Sequence, residues 1–528
     1  MRKTKTVYVG EKFNFVKSIL DENSNKKKGN RISLTKACKK MCEHFSIDYS
    51  EKVRKGVSAL YHKGKGTGEQ NELFKKAQKK KFDKTKQTFI ISYAQNATPV
   101  HSNLFKNMLA YAEELNAGIH IIAGRYKNPT SIYSKANKLK QYWDSKVTPY
   151  LDANRHNLHK YLQVLSDVKV SPTASTPLSG LNGITGLESC IIGHPRQHLK
   201  SLPVLEGYPH KLLLSTGACT IANYTDSKAG KKGEFHHMLG FVVVELDGDF
   251  FHVRQVNADE NGNFYDIHRR ALNGTIQDNI EGAEAAILGD VHVRHNDKKV
   301  TEVAFKLIED LKPKCTLIHD IAEMESILHW DEKDPFRLLQ KEEEGLDNLE
   351  EEIDEIVGWV RNHLKYNLVM SRSNHDDMLD RWLKATDWRK AKNKKMYLKL
   401  SNILMQEPEA RRKGILPFLL DEEFGDSITT LSLDDSYRVL GWELAMHGHL
   451  GANGSRGGHT QFKNLNTKNI TGHGHHPHRE DGHIMVGTLS HLRVGFNRGP
   501  SNWMNSLGLI YPDGKAQLIH IINGKYRK

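Results

Sequence analysis

Cysteine is scarce in this 528-residue chain: there are five, with no paired spacing, which excludes a disulfide framework and points to a reducing compartment. Cys38 and Cys42, at i and i+4, fit the packing face of a helix rather than a zinc site. No apolar run of about 18 residues is present, and no secretory leader opens the chain. A soluble cytoplasmic protein with no membrane partner is therefore expected. Phosphate-loop spacing is missing as well, so the segment Gly64–Gly68 reads as a linker. Beyond residue 86 there is almost no net charge: residues 1–86 hold 24 Lys and Arg against nine Asp and Glu, and so carry essentially all of the chain's +14.

That asymmetry marks a nucleic-acid-contacting end. Residues 33–45 and 50–61 have the pattern of two short helices joined near Ser46-Ile-Asp48. Lys36, Lys39, Lys40, Lys52, Arg54 and Lys55 decorate them, as in a small helical DNA-contacting module. Lys79, Lys80 and Lys81 lie in the basic tail that follows. They would neutralise phosphates and make binding salt-dependent.

Histidine is concentrated at the other end. Residues 447–491 contain nine of the 29 His. They close an ordered series of metal-ligand types: Asp290-Val-His292, Asp320, Asn374-His375-Asp376, His447 and His473-Gly-His475. Each group follows an expected strand, and strand ends gather side chains at one edge of an α/β sheet. Two divalent cations about 3.5–4 Å apart need a carboxylate that reaches both, and Asp320 in the middle of the series fills that role. The mixed imidazole and carboxylate set favours manganese, iron or zinc over magnesium or calcium. His447 is preferred to His449 because the apolar run from Leu440 to Met446 ends directly at it.

In order and spacing these motifs resemble those of the calcineurin-like metallophosphoesterases, DxH, GD, GNH[DE], H and GHxH, over residues 283–528. The resemblance implies a layered αββα domain. It also implies one metal held by Asp290, His292, Asp320 and His475, and a second held by Asp320, Asn374, His447 and His473. His375 would serve the leaving oxygen, with Asp376 as its orienting partner, during in-line attack of a metal-activated hydroxide on a phosphoester. Two positions depart from the pattern: His319 and Ser373 stand where the motifs have glycine. Together with the basic end, the layout resembles the pre-early host-DNA-degradation nucleases of virulent tailed phages, which implies action on DNA in the host cytoplasm.

The surrounding periodicity supports an α/β chain. Strands are expected at 283–288, 315–318 and 366–370, a helix at 300–311, one acidic helix over 340–362, and strands at 483–489, 507–511 and 516–523 around a turn at Pro512-Asp-Gly514. Three parts follow: a basic helical module at 1–86, a mixed α/β middle region at 87–282 and the catalytic domain at 283–528. In the middle region, a β-α-β start at 88–123 precedes a hairpin at 241–256, and His194, Arg196 and His198 read as surface-loop residues. A DNA nuclease leads. A phosphatase or cyclic-nucleotide phosphodiesterase with the same metal site is the alternative, and a nonenzymatic DNA-binding protein the third reading. A homo-oligomer remains open.

Overall fold

The structure, a computed structural model, describes residues 11–22, 32–46, 48–50, 53–54, 57, 82–83, 85–128, 130, 142–389, 391–495 and 497–528. It divides into two compact units, Met1–Lys79 with Ser134–Tyr142, and Lys80–Tyr133 with Trp143–Lys528.

In the smaller unit, helices span Glu11–Asp21 and Leu34–His44. Ser33 caps the second, its hydroxyl accepting from the Lys36 amide at 3.2 Å. The buried residues Ala37, Cys38, Met41 and Cys42 fall on one face of that helix and pack with Val16, Leu20, Val53 and Val57. Lys36, Lys39 and Lys40 occupy its exposed side. Of the second expected helix, positions 50, 53, 54 and 57 are described; the last three are helical and Ser50 is not. Lys52, Lys55, Lys79, Lys80 and Lys81 lie outside the described residues. The helix Glu11–Asp21 has no counterpart among the elements expected from periodicity.

The larger unit is mixed α/β. Its first sheet joins the expected β-α-β start to the expected hairpin: Thr88–Gln95 runs parallel to Gly118–Gly124 and antiparallel to Gly240–Asp247, which pairs with Phe250–Asn257. A second sheet of six strands runs in the order Thr429–Thr430, Leu368–Met370, Cys315–Asp320, Ala285–Asp290, Ser506–Ile510, Ala516–His520. Its first four strands are parallel. The helix Lys298–Leu311 connects two of them and buries Val300, Ala304, Leu307, Ile308 and Leu311, a stripe of helical spacing.

A third sheet, of ten strands, faces the second, and an apolar layer that includes Ile287, Leu317, Val369, Trp442, Ile470, Ile484 and Leu518 fills the space between them. This sheet crosses position 282, where the sequence suggested a border. Leu199–Leu202 pairs antiparallel with His478–Glu480, and the middle and C-terminal segments cluster as one unit.

Three local expectations change. The acidic stretch forms two helices, Pro335–Glu344 and Leu349–His363, because Gly345 turns left-handed at φ +70° and Asn348 caps a new start by accepting from the Glu350 and Glu351 amides. The strand expected over Leu440–Met446 shrinks to Trp442–Glu443, since Leu440 and Gly441 both have positive φ. His194, Arg196 and His198 are buried rather than in a surface loop. Arg196 is held by Asp481 at 3.0 and 3.2 Å, and His194 meets the Ser171 carbonyl at 3.0 Å.

Candidate metal centre

Asp290 and Asp320 end adjacent parallel strands and are partners in register, so two carboxylates stand side by side at the carboxyl edge of the six-stranded sheet. The next strand, Leu368–Met370, leads into Asn374 and His375. The facing ten-stranded sheet supplies the rest: His447 follows Trp442–Glu443, and His473 and His475 follow the parallel strand Lys468–Thr471. The common edge of two stacked sheets thus gathers side chains from five segments.

The geometry is close. His475 Nε2 lies 2.6 Å from Asp290 Oδ2 and 3.2 Å from His292 Nε2. His375 Nδ1 lies 2.7 Å from Asp320 Oδ2. His447 Nε2 is 3.8 Å from Asp320 Oδ2 and 2.9 Å from Asn374 Oδ1, and its Nδ1 is 3.9 Å from Asp290 Oδ1. Three sets of potential ligand atoms, each mutually within 4.8 Å, overlap: Asp290, His292 and His475; His292, Asp320 and His375; Asp290, Asp320 and His447. All six residues are buried. His447 Nδ1 and His475 Nδ1 are buried without a hydrogen-bond partner. Such a set of imidazoles and carboxylates fits a divalent ion of borderline softness.

Charge follows the same arrangement. Burial alone would raise the Asp290 carboxyl, but His475, His447 and His292 outweigh it and hold it well below the usual carboxylate range. Burial would lower His292, yet Glu323, Asp320 and Asp290 push it up to about 10. His447 and His473 are driven down by burial, the latter to about 4. Their neutral imidazoles present lone pairs, the form that binds metals.

The loops that aim these groups are tightly specified. His292, His473 and His475 all adopt left-handed backbone, at φ +46°, +65° and +55°, a conformation that clusters at functional sites. Gly472 is required by space: a Cβ there would stand 2.5 Å from Asp290 Oδ1 and 2.7 Å from the His319 Cβ. The two departures from the glycine pattern are accommodated. His319 is buried and meets the Ser371 hydroxyl at 3.2 Å. The Ser373 hydroxyl accepts from the His375 and Asp376 amides at 3.1 Å, and Asp376 Oδ2 accepts from the Ser373 amide at 2.8 Å. This reciprocal cap starts the helix Asp376–Ala385.

The cap also relocates one expectation. Asp376 was expected to orient His375, but its carboxylate serves the backbone of its own loop, and His375 hydrogen-bonds to Asp320 instead. His473 is half-buried, with its ring centroid 5.0 Å from that of His447, and its amide donates to Asp290 Oδ1 at 3.0 Å. His449 lies 3.7 Å from Asp377.

Two neighbours carry no motif in the sequence. Glu323, 2% exposed, places Oε2 3.0 Å from His292 Nδ1, which also lies 2.7 Å from the Ala322 carbonyl. A carboxylate behind a ligating imidazole fixes its tautomer and orientation. Trp503 packs edge-on against His475 at 3.9 Å. The only sequence cue for Glu323 is its place three residues after Asp320, and Trp503 has none.

No family model matches the chain, and no solved structure matches it. It is similar to Protein A1 of Escherichia phage T5, with 30% identity over 467 residues that cover 83% of this chain and 82% of that protein. At this identity and coverage, the chain belongs to the family of Protein A1 of Escherichia phage T5.

Proposed function

We propose that the chain is a metal-dependent DNA nuclease that hydrolyses phosphodiester bonds with two divalent ions, manganese preferred, as a layered αββα enzyme of the metallophosphoesterase type. The observation that carries this reading is the overlap of the three ligand sets. Asp290, His292 and Asp320 each belong to two of them, so neighbouring ions would share this wall.

Asp290, His292, Asp320 and His475 would hold one ion, and Asp320, Asn374, His447 and His473 the other. Bound there, the ions would supply Lewis acidity and a hydroxide-like nucleophile at neutral pH. The protein's own groups do the positioning. Glu323 and the Ala322 carbonyl fix the His292 ring. His375 carries its Nδ1 proton against Asp320, which leaves Nε2 to face the leaving oxygen. The exposed Lys36, Lys39 and Lys40, with Arg54 and the basic positions Lys55, Lys79, Lys80 and Lys81, would hold the DNA backbone. The basic end and the family's phage member support host DNA as the substrate and the bacterial cytoplasm as the place of action.

Incubating the purified protein with circular and linear DNA in manganese, magnesium or calcium tests the reading. Cleavage that manganese supports far better than magnesium is expected. Intact DNA in every metal, or equal rates in magnesium alone, would overturn it.

A further inference from the structure

We propose that a second anion site, apart from the histidine and carboxylate centre, lies in a cleft at the edge between the two stacked sheets and binds a phosphate group carried by a nucleic-acid strand or a free nucleotide. The cleft has a volume of about 850 Å³ and is lined in part by Lys468, Arg479 and Lys515. Lys468 begins the strand whose far end leads to His473. The cleft therefore opens at the opposite end of that strand from the metal ligands, on the order of 15 Å away along the chain.

Arg479 is the central observation. It pairs in register with Ile484 and Leu199, which turns its side chain to the face where Ile484 packs between the sheets. It is 3% exposed, its Nη1 is buried without a hydrogen-bond partner, and it makes no ion pair among the described residues. A guanidinium cannot escape burial by discharging at neutral pH, so its charge calls for an anion. Both carboxylates that follow it in sequence are engaged elsewhere: Glu480 by Lys463 at 2.7 Å, and Asp481 by Arg196 at 3.0 Å, His198 at 3.1 Å and His236 at 3.3 Å. Lys468 stands exposed at the rim of the cleft with its ammonium 5.6 Å from the Trp442 ring centroid, and desolvation, then Lys515 and Arg479, push it below the ordinary range. Across the whole lining, six Lys and Arg face four carboxylates.

The shape favours a nucleotide over a bare ion. The volume falls in the range of small-molecule sites, about 300–1,000 Å³. Phe235, 85% exposed, stands on the lining, where a base can stack on it. Arginine paired with phosphate gives the strong charge-assisted hydrogen bond that this cluster lacks.

The test measures binding by the full chain in chelator, so that it reads the cleft separately from hydrolysis. The probes are a labelled single-stranded oligonucleotide, a deoxynucleoside monophosphate and inorganic phosphate. Arg479→Gln should weaken oligonucleotide binding about tenfold or more and reduce the slope of log affinity against log salt by about 0.7. Lys515→Ala, at a half-buried position just before the strand Ala516–His520, should act in the same direction and serves if Arg479→Gln fails to fold. Phe235→Ala should weaken the oligonucleotide and leave inorganic phosphate unaffected. A monophosphate that competes with the oligonucleotide would identify a free nucleotide as a ligand, and one that does not would assign the site to the strand's backbone. Wild-type affinity and salt slope in folded Arg479→Gln and Lys515→Ala would overturn the proposal.

Discussion

His375 Nδ1 stands 2.7 Å from Asp320 Oδ2, so the carboxylate assigned to both ions is also the hydrogen-bond partner of the imidazole assigned to the leaving oxygen. The two residues therefore separate under mutation in a readable way. Asp320→Ala should lose both metal occupancy and activity, the latter more than about 100-fold, beyond the range of a supporting residue. Metal analysis of the purified variant checks this.

His375→Ala should retain its metals and lose turnover. The residue lies within ligand distance of His292 and Asp320, so metal content decides its role. Loss of metal in this variant would make His375 a ligand.

Glu323→Gln removes the negative charge 3.0 Å from His292 Nδ1 while keeping the shape. Metal affinity should fall about 10–100-fold with little change in melting temperature, as followed by calorimetric metal titration and thermal unfolding. Unchanged affinity would leave the Ala322 carbonyl as the sufficient anchor of the ring.

A buried network ties the middle region to the last strand. Arg254 Nε lies 2.7 Å from Asp266 and its Nη1 3.0 Å from Glu245, while Gln517 donates to Asp266 at 2.8 Å. Burial would raise the Asp266 carboxyl, but Arg254, Tyr111 and Gln517 hold it below its ordinary value. A depressed folded pKa stabilises the protein above the unfolded value of about 3.9, and that stability is lost as pH falls through the folded value. Arg254→Met should cost about 3–5 kcal/mol at neutral pH, because two buried carboxylates lose their cation. The deficit should shrink on acidification. Denaturant unfolding between pH 7 and 3 measures both.

Replacing Lys36, Lys39 and Lys40 by Ala should flatten the salt dependence of DNA binding by about 0.9 for each phosphate that these side chains neutralise. All three lie on the exposed side of one helix, so the fold should survive. An unchanged slope would reduce this end to a solubilising arm.

The sequence by itself determined the local elements and the order of the candidate ligands. Alternating and helical periodicity reports which face of a segment is buried, and the strands at Ala285–Asp290 and Cys315–Asp320 and the helix Lys298–Leu311 form near where that pattern puts them. It also placed Asp290 and Asp320 at strand ends, whereas His447 follows the short strand Trp442–Glu443 by a further loop. Only the tertiary structure decided which groups meet. Pairing of Leu199–Leu202 with His478–Glu480 joins regions that look separable in sequence, because sheet register is set between segments hundreds of residues apart. Asp376 turned to its own loop because a backbone amide 2.8 Å away captured its carboxylate. Glu323 reached His292, and Arg479 turned inward without a counter-charge, through strand register and loop path. Neither leaves a periodicity or a motif in the chain, because both follow from how the folded segments face one another.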